Sequence, residues 1–172
     1  RAILIDEHNR GIGMFPAAVA HEEICARPWR GFYFPHPTWL GKTEWFRQYR
    51  YRIPGPYLCE DQELLLRSYR DSRFATVDEV LFAYRVRYRV NLHKLVKTRR
   101  SVLSMQMHHF TARRQWRYLA YSLAAFAARL SGDVAKYLLR KILRTPSYAL
   151  PAQKSAQWLA VLKKTLHQGI AG

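Results

Sequence analysis

The first half of the chain alternates short apolar runs with turn residues. This pattern, rich in β-branched and aromatic residues, predicts strands at residues 2–5, 32–34, 74–77 and 80–86. Asn9-Arg10-Gly11 predicts a turn directly after the first strand. Pro35 and Pro37 predict an extended course, because proline fixes its own φ and restricts the residue before it.

Short helices are expected between these runs. The pattern predicts them at residues 17–25, 43–48 and 60–69. Thr43 has the side chain of a good N-cap for the second of them. In the third, Leu64 and Leu65 are expected to face the core. This half of the chain is therefore predicted to be mixed α/β.

Beyond residue 91 the apolar residues recur at steps of three and four, which is the period of an α-helix. The pattern predicts helices over residues 92–110, 116–130, 134–143 and 158–166. The second of these has a wide apolar face made by Trp116, Leu119, Ala120, Leu123, Ala124, Ala127 and Leu130. Pro146 is expected to end the third.

Charge separates the same two parts of the chain. The net charge of the 172 residues is +17. Residues 1–91 hold 14 Lys and Arg against 11 acidic residues, whereas residues 92–172 hold 15 against the single acid Asp133. We therefore expect a mixed α/β region over residues 1–91 and a basic amphipathic helical region over residues 92–172. The hydrophobic content of 49% excludes a disordered chain.

The cysteines and the length of the apolar runs predict the cellular location of the protein. Cys25 and Cys59 fit neither a zinc spacing nor a disulfide framework, so reduced thiols in the cytoplasm are expected. No run of about 18 apolar residues predicts a helix that crosses a bilayer. The predicted location is the cytoplasm, with peripheral contact at the inner face of the cell membrane.

The stretch Cys59-Glu60-Asp61-Gln62-Glu63-Leu64-Leu65-Leu66-Arg67 carries the candidate chemistry. An acidic pair opens a short helix, and the backbone N–H groups and macrodipole of a helix start favour an ionised carboxylate. An ionised, oriented carboxylate is what a general base requires. The two β-rich runs follow at once.

Three blocks in residues 1–90 together resemble the C-terminal half of the catalytic domain of family 2 glycosyltransferases. The first is Pro35-His36-Pro37-Thr38-Trp39-Leu40-Gly41 with Glu44-Trp45-Phe46 and Tyr51, similar to the acceptor-side segment. The second is Glu60-Asp61 with Leu64, Leu66 and Arg67, similar to the catalytic-base helix. The third runs from Phe74 to Tyr84-Arg85, similar to a pair of strands that ends in Tyr-Arg.

The resemblance implies a GT-A-like nucleotide-diphospho-sugar transferase fold that inverts the transferred sugar. It implies that Asp61 removes the proton from the acceptor hydroxyl, whereas a capping or salt-bridged surface acid is the alternative. Glu60, His36, Thr38 and Trp39 are expected on the acceptor side. The alternatives are a structural His36 and a Trp39 that packs in the core instead of stacking on a sugar ring.

Two arginines are candidates for the donor diphosphate, because a guanidinium fork suits phosphate. Arg67 either reaches the diphosphate or forms an i, i+4 salt bridge with Glu63. Arg85 follows Tyr84 at the end of the third block. By resemblance the cofactor is Mg²⁺ or Mn²⁺, with its ligands mainly in a preceding half of the family's domain and none in this chain.

The chain departs from the family pattern at its start. The βαβ nucleotide-binding unit and the Asp-x-Asp metal motif that precede these blocks in the family are absent from the sequence. Residues 2–11 are interpreted as a strand and turn, not as that motif. The expectation is therefore a fragment of a longer enzyme, which lacks the donor-binding half and does not catalyse transfer alone.

The basic helical region is open to several interpretations. Arg113, Arg114 and Arg117 precede the apolar face, and cations of this kind attract anionic lipid headgroups. A lipid-linked or saccharide acceptor in surface-polysaccharide or glycolipid synthesis would fit such a membrane contact. Nucleic acid is the less expected partner, because no recognition motif is present. A non-enzymatic basic module and a plain helical domain packed on the enzyme are the other interpretations.

Overall fold

A computed structural model describes residues 1–86, 92–143, 156–157 and 160. These residues form a mixed α/β structure in two compact units, one of residues 1–17 and 76–86 and the other of residues 18–75 and 92–143. The described part contains one three-stranded sheet and five α-helices. The strands are β1 (Ala2–Ile5), β2 (Gly11–Met14) and β3 (Phe82–Arg85). The helices are α1 (His21–Cys25), α2 (Thr43–Gln48), α3 (Glu60–Ser68), α4 (Leu92–Ala112) and α5 (Trp116–Leu143).

The sheet unit has the strand order β2-β1-β3. β1 pairs antiparallel with β2 and parallel with β3. Ile3 and Ile5 of β1 are buried, and Met14, Val80 and Ala83 pack against them. The predicted strand at residues 2–5 is confirmed, and the predicted strand at 80–86 is confirmed over its central residues. A turn follows the first strand as predicted, but it ends before Gly11, which already begins β2. The sequence pattern missed β2, because the glycines in Gly11-Ile12-Gly13-Met14 conceal its alternation.

The hairpin turn between β1 and β2 is organised by the buried carboxylate of Asp6. It accepts hydrogen bonds from the backbone N–H groups of His8 and Arg10, each at 2.8 Å, and from Arg10 Nε at 2.7 Å. Burial alone would raise the pKa of the Asp6 carboxyl, but these bonds outweigh burial and hold the pKa below its usual value. Asp6 is therefore structural, in agreement with the strand-and-turn interpretation of residues 2–11.

The helical unit is built around α3 and α4. Its core contains Leu65 and Leu66 of α3, Phe110 of α4, and Ile24, Phe32 and Tyr69. α5 lies along α4, and Tyr118 of α5 meets Phe110 edge-to-face at 5.5 Å between ring centroids. Tyr118 also stacks on Trp29, at 5.2 Å between centroids. The predicted burial of Leu64 and Leu65 is confirmed.

Helix α5 presents apolar side chains on its exposed side. Trp116 is 59% exposed and Leu138 is 51% exposed. The other exposed apolar residues up to position 139 are Ala120, Tyr121, Leu123, Ala124, Ala127, Ala128, Ala135 and Leu139. We call this set, with Trp116 and Leu138, the α5 face. Much of the apolar face that the helical period predicts therefore does not pack in the core. In addition, the two helices predicted at 116–130 and 134–143 are one continuous helix.

Several predicted elements were wrong in kind or extent. Residues 32–34 and 74–77 are not strands, because their aromatic side chains fill the core of the helical unit instead of pairing their backbones. Phe74 meets Phe32 and Phe34 edge-to-face, with centroids 6.4 and 5.5 Å apart. His36–Thr38 is a 3₁₀ turn, which tolerates Pro37 in its first turn because that N–H would be unpaired anyway.

Some predicted boundaries also moved. Thr43 is the first helical residue of α2 and Lys42 precedes it as N-cap, so the predicted Thr43 cap was wrong. The predicted helix at 17–25 starts only at His21, since residues 15–20 run as an irregular segment. The predicted boundary at residue 91 and the predicted helix at 158–166 lie outside the described residues, apart from residue 160.

Candidate functional site

The acidic pair lies where the sequence predicts it, at the start of α3. Glu60 is the first helical residue and Asp61 the second, and both side chains are partly exposed. Asp61 Oδ1 accepts a hydrogen bond from the backbone N–H of Gln62 at 2.8 Å. One oxygen of the carboxylate is thereby fixed at the start of the helix.

Tyr51 connects this acidic pair with the acceptor-side segment. Partial burial raises the pKa of the Tyr51 phenol, and the negative charges of Asp61 and Glu60 raise it further. The phenol oxygen lies 2.7 Å from Nε2 of His36. Tyr51 is thus hydrogen-bonded to His36 and lies within the electrostatic reach of the acidic pair.

An aromatic wall continues from His36. The His36 ring meets Trp39 edge-to-face with centroids 5.0 Å apart, and it meets Tyr51 in the same way at 5.8 Å. Trp39 packs against the core, which was the alternative for this residue, and its Nε1 is buried without a hydrogen-bond partner among the described residues. We call Glu60, Asp61, Tyr51, His36 and Trp39 the Asp61 cluster.

Thr38 has a local role in the same segment. Its Oγ1 donates a hydrogen bond to the carbonyl oxygen of Pro35 at 2.7 Å. The backbone N–H of Thr38 donates to the same oxygen at 2.9 Å and closes the 3₁₀ turn that carries His36. Thr38 therefore helps to fix the direction of the turn, while its predicted acceptor-side role stays a prediction.

Gln62 fastens the acceptor-side segment to α3. Its Nε2 donates to the carbonyl oxygen of Phe32 at 2.9 Å, and its Oε1 accepts from the N–H of Phe32 at 2.8 Å. The side-chain amide therefore pairs with both backbone groups of one residue. Because Gln62 directly follows Asp61, this pairing fixes the candidate base relative to the segment that leads to His36.

Replacing Gly31 by Ala is expected to disturb that pairing. Gly31 has φ of +85°, which favours glycine, and an added Cβ would lie 2.8 Å from Gln62 Oε1. The strained backbone and the close contact together should lower the free energy of unfolding by about 1–3 kcal/mol. Urea unfolding checks this, with Gly132→Ala as control because a Cβ there meets nothing within 4 Å. Equal stability of the Gly31→Ala variant and the unaltered protein would contradict it.

Arg67 forms the salt bridge that was the alternative to diphosphate binding. Its Nε lies 3.1 Å from Glu63 Oε1, and its Nη2 donates to the carbonyl oxygen of Arg50 at 2.7 Å. Glu63 is also 3.2 Å from Arg52 Nε. A diphosphate role for Arg67 stays a prediction.

Arg85 belongs to the sheet unit, where its guanidinium supports the hairpin turn. Nη1 donates to the carbonyl oxygen of Asp6 at 2.7 Å, and Nη2 donates to Asn9 Oδ1 at 2.6 Å. These bonds join the end of β3 to the turn that follows β1. A diphosphate role for Arg85 also stays a prediction.

A cysteine and a histidine lie close together in the helical unit without forming a nucleophilic pair. Cys25 Sγ is 3.7 Å from His21 Nδ1, and the N–H of Phe74 donates to that same nitrogen at 3.1 Å. Burial raises the pKa of the Cys25 thiol, and the charge of Glu22 adds to the effect. The pair therefore lacks both a free basic nitrogen and a thiolate.

Metal ligands do not gather in the described part of the chain. No group of three or more His, Cys, Asp and Glu side chains there could hold a metal ion. The residues described do not fit a Mg²⁺ or Mn²⁺ site, so the chemistry proposed below contains no step through a metal.

Comparison of the chain with protein-family models, curated proteins and solved structures found no match in any of the three. In the described residues, no helix is both long enough and apolar enough to cross a membrane.

Sequence reasoning left out several residues that the geometry makes important. In the sequence Tyr51 stands only as part of the acceptor-side block, and Gln62 has no signal beyond its place after Asp61. The sequence pattern gives no signal for His109 of α4. Its Nε2 is buried with no hydrogen-bond partner among the described residues, and the helical period alone does not distinguish it from its exposed neighbour His108.

His109 is expected to make stability depend on pH. Burial first, and then the charges of Arg113, Arg70 and Arg52, lower its pKa from 6.5 to about 4. Between those values the unfolded chain binds the proton and the folded chain does not, so stability falls as pH decreases from 6.5 to 4. Because the ring is partly exposed, we expect a loss of about 1 kcal/mol, less than the full shift implies.

Thermal melts at pH 7 and pH 4.5 check this expectation. A His109→Gln variant, which has no such titration, is the control and should lose less stability over the same interval. An equal loss in both proteins would contradict the assignment to His109.

Proposed function

We propose that this chain supplies the acceptor side and the general base of an inverting glycosyltransferase. The proposed reaction transfers a sugar from a nucleotide-diphosphate donor to a hydroxyl acceptor on a saccharide or a lipid-linked saccharide. A GT-A-like fold is part of the same proposal. In the resembled family a preceding part of the domain binds the donor.

In the proposed reaction Asp61 removes the proton from the acceptor hydroxyl. The hydroxyl oxygen forms a bond to the anomeric carbon, while the bond from that carbon to the diphosphate oxygen breaks and its electron pair leaves with the diphosphate. A base must lie within about 2.6–3.2 Å of the group whose proton it takes. The exposed part of the Asp61 carboxylate leaves room for such an approach.

The observation that carries the proposal is the pairing of Gln62 with Phe32, which fixes Asp61 relative to the segment that leads to His36. The charge of Asp61 reaches the Tyr51 phenol, and this phenol hydrogen-bonds His36, so Tyr51 and His36 are the polar groups proposed to orient a sugar hydroxyl. The ring of Trp39 meets His36 edge-to-face and supports it from the side of the core. Asp61, Tyr51 and His36 are separated in sequence, and each belongs to a block of the family resemblance.

A turnover assay tests the proposal. The protein that carries this sequence, with whatever precedes it in its gene, is incubated with a set of nucleotide-diphosphate sugars and hydroxyl acceptors. The expected result is release of nucleoside diphosphate that requires an acceptor and gives a glycosylated product. Absence of any acceptor-dependent release across the set would count against the proposal.

The α5 face favours a second function, contact with an anionic membrane surface. Apart from Arg117, Ser131 and Lys136, every exposed residue of α5 up to position 139 is apolar. Arg113 and Arg114 are exposed just before the helix. A helix with one apolar side and cations at its end binds at the lipid interface through apolar burial and headgroup attraction. Membrane binding would bring a transferase to a lipid-linked acceptor. In the alternative interpretation, membrane binding is the whole function of a non-enzymatic module.

Replacing Leu123 and Leu138 together by Gln is expected to weaken vesicle binding at least tenfold. Each buried leucine side chain contributes about 1.5–3 kcal/mol at an apolar interface, and both are about half exposed in the protein alone. Co-sedimentation with phosphatidylserine vesicles measures the loss. The control replaces Leu40 and Ile53, which are exposed outside α5, by Gln and should bind normally.

Three outcomes would contradict the membrane function. These are undiminished binding of the α5 variant, equal loss in the control, and salt-sensitive binding of RNA or DNA with no binding to vesicles. The last outcome would favour the nucleic-acid interpretation of the basic region.

A further inference from the structure

A pocket of about 550 Å³ lies between the second half of α3, the loop at residues 52–56 and α4. Its size is within the range of pockets that bind small molecules. All of its lining residues belong to the helical unit. The second half of its lining comes from α4 and the residue just after it, beyond the part of the chain that carries the family resemblance.

The lining has an excess of positive charge. Arg52, Arg67 and Arg113 contribute three guanidinium groups, and Glu63 is the one acid among the lining residues. Glu63 is already shared, because Arg52 Nε and Arg67 Nε lie 3.2 and 3.1 Å from its Oε1. Arg113 forms no ion pair with any described residue. One acid for three guanidinium groups leaves a net charge of about +2 on these side chains.

Histidine and serine side chains complete the polar lining. His108 and His109 line the pocket, and the positive charges around His109 help to keep its pKa low. Ser101 and Ser104 lie three residues apart on α4, and neighbours at that spacing share one face of a helix. Their hydroxyls are donors that complement guanidinium groups around an oxyanion.

We propose that this pocket binds a phosphate-bearing anion, either a free phosphate compound or a phosphorylated lipid headgroup. Arg113 supplies the unpaired guanidinium fork, Arg52 adds a second positive charge, and the two serine hydroxyls donate to the remaining phosphate oxygens. Guanidinium and phosphate are matched in charge and in planar donor geometry. None of the Asp61 cluster lines the pocket, and the proposed phosphate contacts are assigned to Arg113, Arg52 and the two serines, not to Arg67, the candidate for the donor diphosphate.

Calorimetric titration of the protein with inorganic pyrophosphate tests the free-anion form. We expect saturable binding that Arg113→Gln weakens at least tenfold, because a charge-assisted hydrogen bond is lost. Arg113 makes no ion pair that the substitution would break. The matched control is Arg100→Gln, an exposed arginine of α4 that does not line the pocket, and it should bind pyrophosphate normally.

The pKa of His109 reports whether the anion binds in this pocket. Bound pyrophosphate should offset the surrounding positive charge and raise the pKa of His109 from about 4 toward 6.5, which NMR titration of the imidazole measures. An unchanged pKa on saturation with pyrophosphate would show that the anion lies elsewhere and would overturn the assignment.

Vesicles distinguish the lipid form from the free-anion form. If the ligand is a headgroup, vesicles with phosphatidylinositol phosphate should bind more tightly than phosphatidylserine vesicles of equal charge, and Arg113→Gln should remove the difference. Preference for these vesicles without pyrophosphate binding supports the headgroup, and pyrophosphate binding without the preference supports a free compound. The proposal is overturned if neither probe binds specifically, or if Arg113→Gln and Arg100→Gln weaken binding equally.

Discussion

Replacing Asp61 by Asn is expected to lower kcat for sugar transfer by about 10²–10⁴, the usual contribution of a general base. The amide keeps the size and the hydrogen-bond acceptor that meets the Gln62 N–H at 2.8 Å. It does not take a proton from the acceptor hydroxyl. Binding of donor and acceptor should change little, so the loss should appear in kcat more than in KM.

The matched control for this variant is Asp71→Asn. Asp71 is exposed and lies three residues after α3 ends, so it carries the same change in charge away from the candidate base. Circular dichroism should show both variants folded. Equal activity of the Asp61 and Asp71 variants would remove Asp61 from the mechanism, whatever reaction the protein performs.

Replacing Phe110 by Ala is expected to lower the free energy of unfolding by about 3–5 kcal/mol, as for other large core aromatics. Phe110 is 0% exposed and belongs to the core of the helical unit. Its ring contacts Tyr118 of α5, so truncation removes a contact between α4 and α5 as well as apolar burial. A loss of this size is a large share of the stability of an ordinary domain.

Urea denaturation followed by far-ultraviolet circular dichroism measures this loss. Leu40→Ala is the control, because Leu40 is fully exposed and its truncation should leave the transition midpoint almost unchanged. A loss below about 1 kcal/mol for Phe110→Ala would mean that α4 and α5 do not share the core described above.

Local pattern predicted the helices better than the strands. α3 and α4 have helical periods, and the structure reproduces both within about two residues. Phe32 and Phe74 have the residue type of strands, but their rings pack with Tyr69 and Trp45 around a helical core. Strand propensity reflects how a side chain packs in its surroundings, and tertiary packing here outweighs it.

Helix α5 shows another limit of sequence pattern. A period of 3.6 identifies an apolar face but does not say whether that face packs inward. In α5 the aromatic residues Tyr118 and Phe126 and the polar Ser122 turn toward the neighbouring segments, while Leu123 and Leu138 face outward. The sequence contained the amphipathic signal, and only the packing revealed its direction.

The sequence predicts the charged residue of the candidate site, but it does not predict the contacts around that residue. Asp61 followed from its place at a helix start and from the family resemblance. The pairing of Gln62 with Phe32 spans 30 residues, and the contact of Tyr51 with His36 spans 15. Contacts at such separations depend on tertiary folding, so no local pattern in the sequence encodes them.

The anomeric configuration of the product is the measurement that bears most directly on the proposed reaction. The protein is given a donor of known configuration, and the product is examined by proton NMR. The coupling constant of the anomeric proton gives the configuration of the product. A single displacement assisted by Asp61 predicts inversion, with the configuration opposite to that of the donor. A product that retains the donor's configuration would contradict the proposed role of Asp61.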